Sequence, residues 1–218
     1  MGAYVFQFVA GRLCLDFVNT LGDRGGDPNE HLTEYSELVR WAHEAGAIDE
    51  RTARTLVREG REHPRASRRV LLRARGVREA MYRIFKAALD HQRPSAADVD
   101  LLNKELGGAM ANTRVEPGRD GAFDLAWSDT VALDRPLWPV LRSAAELLST
   151  GEMSRVKACA SDSCHWVFMD ESRNRSRQWC QMEVCGNRAK ARRHYARVRS
   201  SGTGARKDRG NAERSRTR

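Results

Sequence analysis

Four cysteines in one short stretch constrain this chain more than any other feature. They are spaced Cys159-x4-Cys164, then 15 residues, then Cys180-x4-Cys185. Two cysteine pairs, each able to turn back on itself, can offer four thiolates to one tetrahedral ion. Zinc is the usual occupant of a four-sulfur site with no redox duty. Four sulfurs leave no position for water, so the expected ion is structural rather than catalytic. An iron–sulfur cluster is a competing use of four thiols, but the spacing matches neither common ferredoxin run. A disulfide pair is another, but the N-terminus lacks the basic start, apolar core and small-residue cleavage site of an exported chain. The expectation is one structural zinc in a small module that is unfolded without it.

The residues around the cysteines suggest how the module is built. Residues 165–170 alternate like a strand, 171–176 form a polar turn, and 177–180 read as a returning strand. Trp166, Phe168 and Trp179 are expected to cover the metal. His165 is either an exchangeable ligand or a turn residue. Cys185 falls in the first turn of a final helix, where backbone N–H groups and the helix dipole stabilise a thiolate. A knuckle, a hairpin and a helix make a treble-clef-like module.

Charge divides the chain at the same place. Residues 1–150 carry 21 basic and 22 acidic side chains, whereas 151–218 carry 17 and 7, so the formal +9 of the whole lies in the last third. In the final helix Arg188, Arg192 and Arg199 form one ridge, and Lys190, Arg193, His194 and Arg197 fill the outer face. Ala191, Tyr195 and Val198 form a narrow apolar stripe suited to packing on the knuckle. The polar turn adds Arg173, Arg175 and Arg177. A basic helix anchored by zinc has the charge and shape of a nucleic-acid reader. Most of these side chains would meet phosphates, while Asn187 and Arg188 sit where groove-docked helices reach base edges. The competing reading is a solvated face, or a patch for an acidic protein. Residues 200–218 read as a disordered basic tail.

The first 150 residues read as mostly helical. A short strand is expected at 4–9; residues 13–21 fit one helical face but also alternate like a strand at 13, 15 and 17, with helix the preferred reading, and a Gly/Asp/Pro/Asn loop follows at 22–29. Thr33 is a candidate N-cap for a helix stopped by Gly46, and Asp49 for one ending before Pro64. Val70, Ala74, Val77, Met81, Ile84 and Ala88 recur at steps of 4, 3, 4, 3 and 4, one buried stripe on a long helix over 67–91. Ser95 and Asp98 resemble a capping box opening a helix that Gly107-Gly108 closes. A hairpin is expected at 113–127, and a helix from Asp134 and Pro136 to Gly151. If 13–21 is helical, Asp16, Asn19 and Thr20 share one face. They either line a small-molecule pocket or cap and pair within the fold. Cys14 reads as a buried small hydrophobe, with a redox sensor as the alternative. No window is long and apolar enough to span a membrane. No HExxH, GxSxG or phosphate-binding loop occurs, so an enzyme is not expected.

Cys185-Gly186-Asn187-Arg188, preceded by Cys-x4-Cys, a Trp-containing strand and Ser172-Arg-Asn-Arg-Ser176, closely resembles the bacterial CGNR zinc-finger family. Leu13-Cys-Leu-Asp-Phe-Val-Asn-Thr20 resembles the opening motif of the ABATE domain, which usually precedes that finger. The resemblance implies a stress-related transcription regulator, with DNA bound by the finger and a signal entering through the first domain. The expected fold is α+β: a predominantly α-helical N-terminal domain with a small β-hairpin (1–152), a four-cysteine zinc module with a basic helix (153–199), and the tail 200–218. The expected function is a cytoplasmic, nucleoid-associated DNA-binding regulator, homodimeric if it reads sequence, with a small-molecule effector. An RNA-binding accessory factor, using Trp166 and Phe168 to stack bases, is the alternative, and an enzyme with a pocket in 1–150 is another.

Overall fold

The apolar spacing of residues 67–91 becomes the longest helix of the structure, a computed structural model that describes residues 4–198. This helix, α4 (Pro64–Leu89), starts on a proline in its first turn and buries Leu71, Ala74, Val77, Met81, Ile84 and Phe85. Packed with it are α1 (Leu13–Val18), α2 (Tyr35–Glu44), α3 (Glu50–Glu62) and α5 (Ala96–Met110), and α6 (Trp138–Ser149) packs on α1 and α5. Three two-stranded antiparallel sheets complete the described residues: β1 (Leu21–Gly22) with β2 (Asn29–Glu30), β3 (Thr113–Pro117) with β4 (Phe123–Trp127), and β5 (Val156–Ala158) with β6 (Val167–Met169). Arg199 and residues 200–218, including the expected disordered tail, lie outside the described residues.

The chain divides into two compact units between Cys180 and Gln181. The first holds every element named so far. Its core centres on α1, where Cys14, Leu15, Phe17 and Val18 are fully buried, with Trp41, Phe85, Met81, Trp138 and Leu141. Burial pushes the Cys14 thiol up to about 12, which makes it a packing residue rather than a redox group. The second unit contains a π-helical turn, Met182–Gly186, that runs into α7, residues 187–198.

Capping chemistry explains several ends. The Asp49 side chain accepts from Thr52 N at 2.7 Å and starts α3 as expected. Gly151, at φ 77°, takes the left-handed conformation that ends α6. The structure corrects other expectations. Residues 4–9 form no strand, because their side chains anchor them instead: Tyr4 stacks on His31 at 3.5 Å and Phe6 is buried under Arg40. Helix α2 begins at Tyr35 with no side-chain cap, not at Thr33. Helix α5 runs through Gly107-Gly108 to Met110. Each mid-helix glycine costs only about 1 kcal/mol, and Ala109 beyond them is buried. Asp98 makes no capping box; it accepts from Arg83 Nε at 2.9 Å.

One buried cation organises the turn after α1. Arg78, buried on α4, donates from Nη1 and Nη2 to the Glu30 carboxylate at 2.7 and 2.6 Å, and from Nη1 to Thr20 Oγ1 at 3.2 Å. Removing one partner of a buried, hydrogen-bonded pair leaves the other desolvated. Arg78→Ala is expected to cost about 3–5 kcal/mol in urea unfolding, whereas Arg114→Ala, whose ion pairs are exposed, should leave the urea midpoint nearly unchanged.

Candidate metal centre and basic surface

The metal knuckle is the loop of the β5–β6 hairpin. Val156, Lys157 and Ala158 pair with Met169, Phe168 and Val167, and Cys159 N extends the ladder to Trp166 O at 2.7 Å. Cys164 N closes a tight turn on Ser161 O at 3.0 Å, which brings Cys164 back towards Cys159. The partner of the 165–170 strand is therefore upstream, and 177–180 is not the returning strand the sequence suggested. That segment runs beside the knuckle, with Ala160 N bonded to Gln178 O at 2.9 Å. The short loop between Ala158 and Val167 closes a hairpin more readily than the polar stretch after Met169, which is folded around a carboxylate instead. The buried Asp170 accepts from Lys157 Nζ (2.6 Å), Ser172 Oγ (2.6 Å), Ser172 N (3.0 Å) and Arg177 N (3.0 Å). The Lys157 ammonium, then Ser172, hold the Asp170 carboxyl far below the usual range.

Cys159, Cys164, Cys180 and Cys185 are all buried, and their sulfur atoms lie within 4.8 Å of one another. The Cys164 and Cys180 sulfurs are 3.6 Å apart. Tetrahedral zinc with bonds of about 2.3 Å requires sulfurs about 3.8 Å apart, so the set fits one zinc ion after small adjustment. His165, exposed at φ 55°, is a turn residue. The zinc is structural: four protein sulfurs fill its coordination sphere.

Residues of the first 30 hold this knuckle from below. Asn19 Nδ2 donates to Val167 O at 2.9 Å while Asn19 Oδ1 accepts from Val167 N at 3.0 Å, so one side chain satisfies both backbone groups of a residue in β6. Met169 N donates to Ala10 O (2.8 Å) and Trp166 Nε1 to Leu21 O (3.0 Å). Gly25 N donates to Ser163 O at 3.0 Å, and a Cβ at Gly25 would stand 2.1 Å from Asp162 O, so only glycine permits this approach. Asp16 Oδ1 accepts from Ala10 N at 2.9 Å, and burial raises its carboxyl to about 6. Thr20 Oγ1 donates to Phe17 O at 2.7 Å and accepts from Arg78. Asp16, Asn19 and Thr20 thus spend their polar atoms on the chain itself. Neither the two-way bond of Asn19 nor the hub formed by Asp170 was expected; only the Asp-x-Ser turn pattern hinted at the latter.

The basic residues separate into two kinds. Arg173, Arg175, Arg188, Lys190, Arg192, Arg193, His194 and Arg197 are exposed, as is Asn187, whose Nδ2 donates to Glu183 O at 3.0 Å. Arg177 is half-buried. Its guanidinium donates to the carbonyls of Val9, Trp179 and Cys180 and stacks 4.3 Å over Phe168. Within the apolar stripe of α7, Tyr195 is 68% exposed and Val198 55%. Trp166 and Phe168 are buried, so neither can stack a base, and Trp179 is half-buried.

With this geometry in place, comparison with known families is informative. The ABATE model, described as "Putative stress-induced transcription regulator", matches residues 11–151. The chain belongs to the ABATE family. A second model, the CGNR zinc finger, matches residues 155–198 and spans all four cysteines. No curated protein matches the chain. Neither family is an enzyme family. Among the described residues no helix is long and apolar enough to cross a membrane.

Two outcomes follow from the contacts between the ABATE domain and the finger. Cys180→Ser should abolish stoichiometric zinc by metal analysis. Asn19→Ala should retain the four ligands but release zinc to a chromophoric chelator roughly tenfold faster or more, in line with the usual cost of losing an outer-shell partner. Asp16 gives a pH signature. Its folded-state pKa is raised, so the fold binds more protons here than the unfolded chain, and this site loses stability as pH rises from the ordinary aspartate value to about 6. Unfolding measured from pH 4 to 7 should show that loss in the wild type and not in Asp16→Asn.

Proposed function

We propose that this ABATE-family protein is a DNA-binding regulator whose zinc finger contacts DNA through α7. The observation that carries the reading is that Arg188, Lys190, Arg192, Arg193 and Arg197 are all exposed on one helix that begins beside a zinc ligand. Arginines so displayed neutralise phosphates, and residues at the helix start, Asn187 and Arg188, are placed to reach base edges. Arg173 and Arg175, exposed on the polar turn of the first unit, are further candidates for phosphate contact, as are His194, Arg199 and the basic tail 200–218. Arg177 belongs to the interior of the finger. DNA is favoured over RNA because burial of Trp166 and Phe168 removes the stacking surface that single-stranded recognition requires.

In this reading the regulatory division of the chain is 1–152, 153–199 and 200–218, acting in the cytoplasm at the nucleoid. Asn19 forms the joint through which the ABATE domain holds the finger, Asp16 and Thr20 brace the segment around it through Ala10 and Arg78, and an effector acts by altering that domain. One short finger reads few base pairs, so sequence recognition calls for a homodimer on two half-sites.

Selection from a random duplex pool at about 150 mM salt should recover a motif. Arg192→Gln with Arg193→Gln should weaken binding to all sequences and lower the salt slope by about 2. Deleting residues 200–218 should flatten the slope without changing the motif. Equal binding to RNA and no recovered motif would refute the reading.

A further inference from the structure

The β3–β4 ribbon exposes an apolar face. Its register pairs Thr113 with Trp127, Val115 with Leu125 and Pro117 with Phe123 on one face, and Arg114 with Ala126 and Glu116 with Asp124 on the other. On the first face Val115 is 67% exposed, Phe123 71% and Leu125 42%, while Trp127 is half-buried with its ring 5.8 Å from that of Trp138. A two-stranded ribbon has two edges, and an isolated one is marginal in water.

The edge strand β3 carries a self-complementary pattern. If it lies antiparallel to β3 of a second copy, with Val115 opposite Val115, each Arg114 stands opposite a Glu116. Centring the pair on Arg114 or on Glu116 instead opposes like charges. Pro117, with no N–H, limits how far the pairing extends. Both charged side chains reach along the ribbon already, since Arg114 Nε and Glu116 Oε1 are 2.5 Å apart within one chain. In the pair they exchange that partner for one across the two-fold axis. Val115 then packs against its own copy, and the two ribbons become one four-stranded sheet with a continuous apolar strip of Leu125 and Val115 from each chain.

We propose that β3 is the homodimer interface, pairing with a second copy of this chain about a two-fold axis through Val115. This names the surface for the homodimer proposed above and rests on it. The chemistry is isologous: one strand supplies both the base and the acid, so each protomer is complementary to itself.

Analytical ultracentrifugation of the zinc-loaded full chain over a concentration series tests this. The wild type should form a dimer. Arg114→Glu and Glu116→Arg, each alone, place like charges opposite one another and should weaken self-association roughly tenfold or more. Mixing the two variants should restore association as a heterodimer, because a strand with two acids then meets one with two bases. Recovery on mixing also shows that both variants are folded, which thermal melts check independently. A wild type that stays monomeric overturns the homodimer reading itself. A dimer indifferent to both substitutions, or two weakened variants that fail to recover on mixing, overturns the assignment to β3 and leaves the dimer to another surface.

Discussion

The pair of hydrogen bonds between the Asn19 side chain and the Val167 backbone is the joint on which the rest depends. Val167 lies in β6, one side of the hairpin whose loop carries Cys159 and Cys164. Asn19 lies at the end of the buried helix α1. The amide does for Val167 what a third strand would do, but it fixes one residue rather than a ladder. The family matches treat 11–151 and 155–198 as separate segments, yet Ala10, Leu21 and Gly25 bond to the second from within or beside the first. Two of the four cysteines, Cys159 and Cys164, therefore stand on a hairpin that residues in and beside the ABATE match hold in place.

Elements set by long periodic patterns were legible in the sequence. The stripe from Val70 to Ala88 lies on α4, Asp49 caps α3, and the hairpin around Pro117 and Gly121 forms as expected. The cysteine spacing alone was enough to group the metal ligands. What could not be read was pairing between short segments. β5 has three residues, too few for a period, so nothing local distinguished it from 177–180 as the partner of β6. The helix through Gly107-Gly108 was missed for a related reason: local propensity argues for a stop, and the burial of Ala109 outweighs it. Asn19 was visible as a polar residue on a helical face, but its partner lies 148 residues away.

The arginines show why charge counting needs a structure. Arg24, Arg78 and Arg177 are spent inside the fold, on Glu79, on Glu30 and Thr20, and on four backbone carbonyls respectively. Those on α7 are exposed. A guanidinium has five donors in a rigid fork and can tie together a loop as readily as it can grip a phosphate. Arg177 and Arg175, two residues apart in one turn, illustrate the difference. The first closes the finger around Phe168, and the second, at φ 47°, faces water.

Linkage gives the joint a consequence that neither family name contains. Zinc bound to a knuckle held by Asn19, Leu21 and Gly25 stabilises the segment carrying those residues, because the knuckle's bonds to them form only when both are folded. The coupling is reciprocal: any perturbation of α1 or the 22–29 loop that loosens these bonds must weaken zinc binding by the same factor by which zinc opposes that perturbation. Arg24, which bridges that loop to Glu79 on α4 at 2.6 Å and lies over Tyr82, and Arg78, which ties β2 to the same helix, fasten the segment that holds the knuckle to the helical core. The helical domain and the hairpin that carries Cys159 and Cys164 are thus coupled through one strand, β6.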